Sequence, residues 1–358
     1  MGVDAQYGGV VAAPGMNFRS DNCYGVAPEI ADAVQAANQG TDSSYGDDKI
    51  TARLQARFSE IFERDVHVYP VISGTAANAL ALATLVPSHG AILCHAGSHI
   101  AVDECGAVEL FTHGAKLVGL EAANGKLAPP IVETALARFE KGSVHHPQPS
   151  AISITQATEL GTVYRREEIE ALSAVARTNG MKLHMDGARF ANALATLGCA
   201  PADITWRAGV DVLSFGATKN GAIGAEAVVF FAKKDVRDFE YRRKKSGHLM
   251  SKMRFVSAQL EAYLHDGLWL KLASRANASA TRLAEGLAGV CGTDPAYPVE
   301  ANEVLVRLPD ETVARLRRGG GIFYDWEPPQ AGSTLIRLVT SFATSAEDVA
   351  NFVRIAKA

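Results

Sequence analysis

Leu213-Ser-Phe-Gly-Ala-Thr-Lys-Asn-Gly-Ala-Ile-Gly224 reads as a buried strand, Gly209 to Phe215, running into a loop with glycines on both sides of Lys219. An amine held there loses hydration, which lowers its pKa, and a partly neutral amine can form a Schiff base. Taken alone, Lys219 reads as an ordinary surface-loop lysine, and two other segments change that reading. Both repeat the strand-then-turn pattern. Lys182-Leu-His-Met-Asp-Gly-Ala-Arg-Phe190 delivers Asp186 at the end of an apolar strand, where Gly187 and Ala188 turn the chain toward a helix. Ligands of open α/β sheets bind outside the carboxyl ends of strands, so Asp186 arrives where a site belongs. A buried carboxylate needs a cationic partner. Arg189 in a structural ion pair is one candidate and a pyridinium nitrogen the other. Val71-Ile-Ser-Gly-Thr-Ala-Ala-Asn78 then runs from strand to an Ala/Leu-rich helix through Leu85. Its N-terminus offers Gly74 and Thr75 to a phosphate, although Ser73 and Thr75 also suit plain helix caps.

Strands are expected near residues 67–72, 91–94, 116–120, 150–156, 182–186, 210–215 and 226–232, with amphipathic helices such as Arg166 to Thr178 between most of them. This alternation predicts a mainly parallel sheet covered by helices on both faces. Ser251 to Ala288 reads as one long helix. After Cys291 the order strand (Val304 to Leu308), helix (Asp310 to Arg318), strand (Thr334 to Thr340), helix (Ser345 to Lys357) predicts a small C-terminal α+β domain. We therefore expect a large domain over residues 16–250, a small one over 251–358, and a mobile leader over 1–15.

The 358 residues carry a net charge of −4 with mixed signs, which gives no electrostatic case for nucleic acid or membrane binding. No apolar run is long enough to cross a bilayer, and the first residues lack the basic and apolar regions of a signal peptide. The five cysteines are scattered, without a CxxC pair or zinc spacing, which fits a reducing cytoplasm and no structural metal. No GxGxxG follows a strand and no Walker-type loop exists, so dinucleotide and NTP chemistry lack their phosphate loops. Gly319-Gly-Gly321 is a helix stop.

The conjunction of a phosphate seat, a carboxylate and an amine, each just after a strand, resembles the fold-type I, aspartate-aminotransferase-like enzymes that use pyridoxal 5'-phosphate (PLP). Within that group the chain resembles the threonine aldolase and β-eliminating lyase family, and there the low-specificity threonine or phenylserine aldolases. The stretches that carry this are Phe18-Arg-Ser-Asp21, Tyr45-Gly-Asp-Asp48, Ser73 to Asn78, His99 with Glu104, His184 to Arg189, Ser214 to Gly221, and Ile336-Arg-Leu-Val-Thr340.

The resemblance implies roles. Lys219 forms the Schiff base with PLP, Asp186 holds the ring nitrogen protonated, Gly74 and Thr75 cradle the phosphate, and His99 stacks over the ring. Arg189 stands beside the phenolate oxygen and the substrate carboxylate. Arg337, in an apolar strand, is a fork for that carboxylate or one half of a salt bridge. Ser20 and Tyr45 are further substrate contacts. Arg243, in Tyr241-Arg-Arg-Lys-Lys245, reaches the phosphate from a neighbouring subunit or lies on a solvated basic face.

The implied reaction cleaves the Cα–Cβ bond of L-β-hydroxy-α-amino acids such as threonine, allo-threonine and phenylserine, giving glycine and an aldehyde. The alternatives on the same scaffold are β-elimination to a keto acid and ammonia, or racemisation. Many family members place a histidine in an Asn-Thr-His segment near the substrate hydroxyl. Here Ala157-Thr158-Glu159 stands in its place, so His99, Glu159 or water is left as the base. The resemblance also implies a homodimer or homotetramer with shared active sites.

Overall fold

The computed structural model describes residues 15–236, 238–290 and 294–358; the expected leader lies outside them but for residue 15, as does Cys291. Seven strands form the main sheet: β1 (His67–Val71), β2 (Gly90–His95), β3 (Lys116–Leu120), β4 (Gln148–Thr155), β5 (Lys182–Gly187), β6 (Val212–Gly216) and β7 (Glu226–Phe230). Their spatial order is β1-β7-β6-β5-β4-β2-β3. All neighbouring pairs are parallel except those made by β7, which runs antiparallel to both β1 and β6. Two reversals cancel, so β1 points the same way as β2 to β6.

Side chains alternate across a strand, and here both faces are apolar. Along β6 and β7, Leu213, Phe215, Ala227 and Val229 join one core, while Val212, Val228 and Phe230 join another with the helix Gly74–Leu85. Helices therefore cover both faces, as the uninterrupted apolar strands predict. The large core is pinned by aromatic contacts around Phe215, whose ring lies 5.1 Å from Phe58, 5.6 Å from Trp269 and 6.1 Å from Phe190 and Tyr263.

A second, antiparallel sheet contains β8 (Glu303–Pro309), β9 (Tyr324–Asp325) and β10 (Ser333–Val339) in the order β8-β10-β9. Its core joins Val304, Val306, Ile336 and Leu338 to Leu283, Leu316 and Phe352. Apolar packing crosses the expected division at residue 250 in both directions. Met253, Val256, Leu260, Trp269 and Leu272 lie in the large core, and Met16 and Phe18 lie in the small one.

Some expected elements differ in detail. The helix expected over Ser251 to Ala288 is two, Arg254–Leu264 and Leu268–Leu287, parted where Asp266 (φ 48°) and Gly267 (φ 67°) adopt the left-handed conformation. Asp-Gly is a turn signal that outweighs the apolar periodicity on either side. The strand expected from Gly209 begins at Val212, because Gly209 (φ 93°) closes a short 3₁₀ turn. Strand β9 carried no sequence signal.

Replacing Phe215 by Ala should destabilise the fold by about 3–5 kcal/mol, since four aromatic neighbours cannot all collapse into the space left. A chemical denaturation midpoint that stays where it was would show that the core does not depend on this ring.

Candidate active site

Strand direction builds the site. The C-terminal ends of β1, β2, β4, β5 and β6 share one edge of the sheet, and the segments that follow them converge there. They line a cavity of about 260 Å³ that collects Gly74, Thr75, His99, Glu159, Asp186, Arg189 and Lys219. Because β7 runs the other way, its first residue, Glu226, reaches the same edge, and Glu226 also lines the cavity.

Asp186 is 4% exposed and forms no ion pair among the described residues. Its Oδ1 accepts the Ala188 N–H at 3.0 Å and its Oδ2 accepts Asn78 Nδ2–H at 2.8 Å. Arg189, the structural candidate for its cation, turns elsewhere: Nε and Nη2 donate to Asp21 at 2.9 and 3.2 Å, and Nη2 stands 3.4 Å from Glu303. Burial opposes the charge of Arg189, but Asp21 and Glu303 more than offset it and hold its pKa above the ordinary value. Asp21 is held low for the reciprocal reason: burial disfavours its ionisation, and the charges of Arg189 and Lys219 overcome that. Asp186 is thus left with two dipoles and no cation, an arrangement that calls for a positively charged group inside the cavity.

Lys219 sits in the turn Thr218–Asn220 after β6, and its Nζ has no hydrogen bond or ion pair among the described residues. Asn220 anchors the turn from below, donating to the Tyr263 hydroxyl at 2.7 Å and the Trp269 carbonyl at 2.9 Å. Glu226 holds it from the other side by accepting the Ala217 N–H at 3.0 Å. Burial pushes Glu226 up to about 7.

Ser73 caps the helix Gly74–Leu85 by accepting the Ala76 N–H at 3.3 Å, and the Gly74 and Thr75 N–H groups have no acceptor among the described residues. A side chain at Gly74 would enter open space, so the glycine leaves this cradle uncovered. His99 stands 2.8 Å through Nδ1 from Glu104 Oε1, a contact that raises its pKa, and its backbone N–H donates to Glu159 Oε1 at 2.7 Å. Glu159 Oε1 also accepts the Thr155 hydroxyl at 3.0 Å, and burial pushes Glu159 up to about 7. Two short helices follow β2, His99–Val102 and Ala107–Phe111; the break between them lets Glu104 turn back to His99.

Four expected residues do not line this cavity. Ser20 is close, accepting the N–H of Asn22, which does line it. Arg337 stacks at 4.8 Å on Trp326 and 6.0 Å from Tyr324, and lies 3.8 Å from Glu303. Tyr45 is exposed beneath Lys244. Arg243 is buried over Tyr69 at 5.3 Å, with its Nε unpartnered. Sequence reasoning gave no role to Asn78, Glu226 or Glu303. Only their position as polar groups in apolar elements pointed to them.

A free amine, a buried carboxylate without a cation and an uncovered helix N-terminus in one cleft are what a PLP enzyme of fold-type I presents, and they fit that cofactor. The β-eliminating lyase family model matches residues 17–311, so the chain belongs to the β-eliminating lyase family. It is 44% identical, over 94% of its own length and 96% of the other's, to the low specificity L-threonine aldolase of Pseudomonas aeruginosa. The threonine aldolase of Leishmania major superposes with a TM-score of 0.90 at 31% identity, covering 95% of this chain and 98% of that one. The aspartate aminotransferase of Thermus thermophilus shares the fold (TM-score 0.69, 15% identity, 96% and 91% covered).

Glu104→Gln should bring the His99 pKa down toward the ordinary histidine value by removing the charge that stabilises the imidazolium. An imidazole titration followed by NMR checks this; an unshifted midpoint would mean that Glu104 does not set the state of His99.

Proposed function

We propose that the protein is a PLP-dependent aldolase that cleaves the Cα–Cβ bond of L-β-hydroxy-α-amino acids, threonine, allo-threonine and phenylserine among them, to glycine and an aldehyde. The observation that carries this is the pairing, in one cleft, of an unpartnered Lys219 with an Asp186 that lacks a cation. When bound, PLP supplies an aldehyde for amines to condense with and a ring that takes up the electrons released at Cα.

The side chains divide the remaining work. Lys219 Nζ is the amine that holds the cofactor between turnovers. Asp186 keeps a proton on the ring nitrogen, with Asn78 and the Ala188 N–H fixing the carboxylate. Gly74 and Thr75 receive the phosphate, and His99 covers the ring. Arg337, with Ser20 and the positive wall of Arg189, grips the substrate carboxylate, which sets the direction of the bond to be broken. Glu159 is the base. Its Oε1 is taken by the His99 N–H and the Thr155 hydroxyl, while no other described residue donates to Oε2, which we assign to the proton of the β-hydroxyl.

Tyr45 and Arg243 lie outside the cleft of their own chain. We assign them to the cleft of a neighbouring copy in a homodimer or homotetramer. Among the described residues no helix is long and apolar enough to cross a membrane, and Cys23, Cys94, Cys105 and Cys199 are free thiols. A reducing cytoplasm is the compartment we infer.

Protein purified with PLP should show a visible Schiff-base absorbance that Lys219→Ala abolishes, and should release glycine and acetaldehyde from L-threonine. Absorbance with a keto acid and ammonia as products would instead make it a β-eliminating enzyme. Glu159 acts as a base only when ionised, so kcat/KM should rise with pH through about 7. Glu159→Gln should remove that limb and lower kcat by roughly 10²–10⁴, whereas Glu226→Gln should retain the limb.

A further inference from the structure

Glu303 is a charge that the fold buries without a hydrogen bond. It opens β8 and is 1% exposed, and neither of its carboxylate oxygens accepts a hydrogen bond among the described residues. Two guanidiniums stand near its Oε1, Arg189 Nη2 at 3.4 Å and Arg337 Nη1 at 3.8 Å. The adjacent amide does not serve it either, because Asn302 donates to Asp21 at 3.0 Å and to the Thr340 carbonyl at 2.7 Å. The start of β8 is confined by Gly161, where a Cβ would meet the Glu303 carbonyl oxygen at 2.9 Å.

A salt bridge that served only the fold would close, since a buried carboxylate left without donors is costly. Here the arginines are positioned by other groups. Arg189 is fixed by its two bonds to Asp21, and Arg337 by the ring of Trp326 at 4.8 Å. What Glu303 contributes is charge. With Asp21 it sets two carboxylates against two guanidiniums, so this group of four is balanced before a substrate arrives. We propose that Glu303 is a positioning residue that acts through Arg337 and Arg189, weakening their hold on the α-carboxylate so that glycine leaves after the aldehyde. This rests on the aldolase reading and on Arg337 as the carboxylate fork.

The reaction itself supplies the reason. The α-carboxylate is the same in substrate and product and takes no part in the bond that breaks. Interaction energy spent on it lowers KM without raising kcat, and it prolongs the stay of glycine. Two guanidiniums without a counter-charge would bind a carboxylate strongly. A buried negative charge beside them opposes that binding, in a place where burial keeps screening weak.

The holoenzyme and its Glu303→Gln and Glu303→Met variants, both neutral and of similar length, test this. The probe is β-hydroxybutyrate, which carries the carboxylate and β-hydroxyl of threonine but no amine, so it can neither join the cofactor nor be cleaved. Its dissociation constant, measured by saturation-transfer NMR, should fall about tenfold in both variants, and its signal should vanish in Arg337→Ala. In turnover, KM for L-threonine and the inhibition constant of glycine should fall together while kcat does not rise. A probe bound equally or more weakly in every variant that folds overturns the proposal, because removing a merely structural Glu303 would loosen the site. A signal that survives Arg337→Ala places the carboxylate elsewhere and overturns it too, as does loss of the fold in both Glu303 variants, seen by circular dichroism. If the unaltered enzyme cleaves no threonine, the aldolase reading falls, and the probe still decides whether Glu303 restrains carboxylate binding.

Discussion

Asp186 is a carboxylate withdrawn from water with no cation beside it, and much of the surrounding architecture answers to that. Leaving such a group uncompensated is costly, and two hydrogen bonds from neutral donors repay only part of the cost. One donor, Asn78, sits on a helix buried from Ala76 to Ala83, which fixes its amide in place. The same amide donates to Glu104 at 2.9 Å, and Glu104 in turn holds His99. The carboxylate we assign to the ring nitrogen and the imidazole we assign to the ring face are thus tied through one side chain. The helix that carries Asn78 also presents at its N-terminus the Gly74 and Thr75 N–H groups we assign to the phosphate. Three features of the cleft consequently depend on one rigid element.

Three carboxylates close to this centre are separated by their surroundings. Asp21 has Arg189 and Lys219 close by, which hold its pKa low. Glu159 and Glu226 have hydrogen-bond donors but no ion pair, and burial carries both up to about 7. Groups of one chemical type pushed apart in this way can take different proton-handling roles at one pH. Glu226 bonds to the backbone of the lysine turn and so acts on position, whereas Glu159 lines the cavity with Oε1 held by the His99 N–H and the Thr155 hydroxyl.

The fold was legible where chemistry repeats locally. Strand, turn and helix signals placed β1 to β7 within a few residues, and Asp186, Lys219 and Gly74 fell at strand ends as the motifs required. Strand direction was not legible, because the same apolar run serves a parallel or an antiparallel neighbour. For that reason the expectation of a mainly parallel sheet did not single out β7 as its antiparallel strand, and Glu226 went unassigned. Asn78 was visible as part of a motif, but its bonds span 26 and 108 residues of sequence, a separation no local pattern encodes. Asp266-Gly267 did carry a turn signal, and helical periodicity on both sides masked it.

The two arginines near the substrate end show how placement changes a role that residue type alone suggests. Arg189 is spent on Asp21 and Glu303, so it contributes a fixed positive wall and not a free fork. Glu303 is fully buried, and neither of its oxygens accepts a hydrogen bond. It stands between Arg189 and Arg337, reconciling two like charges that would otherwise repel across the start of β8. Arg337 keeps Nε without a partner while Trp326 supports its guanidinium from one side. A supported guanidinium with an open donor suits the grip on a carboxylate that we assign to Arg337.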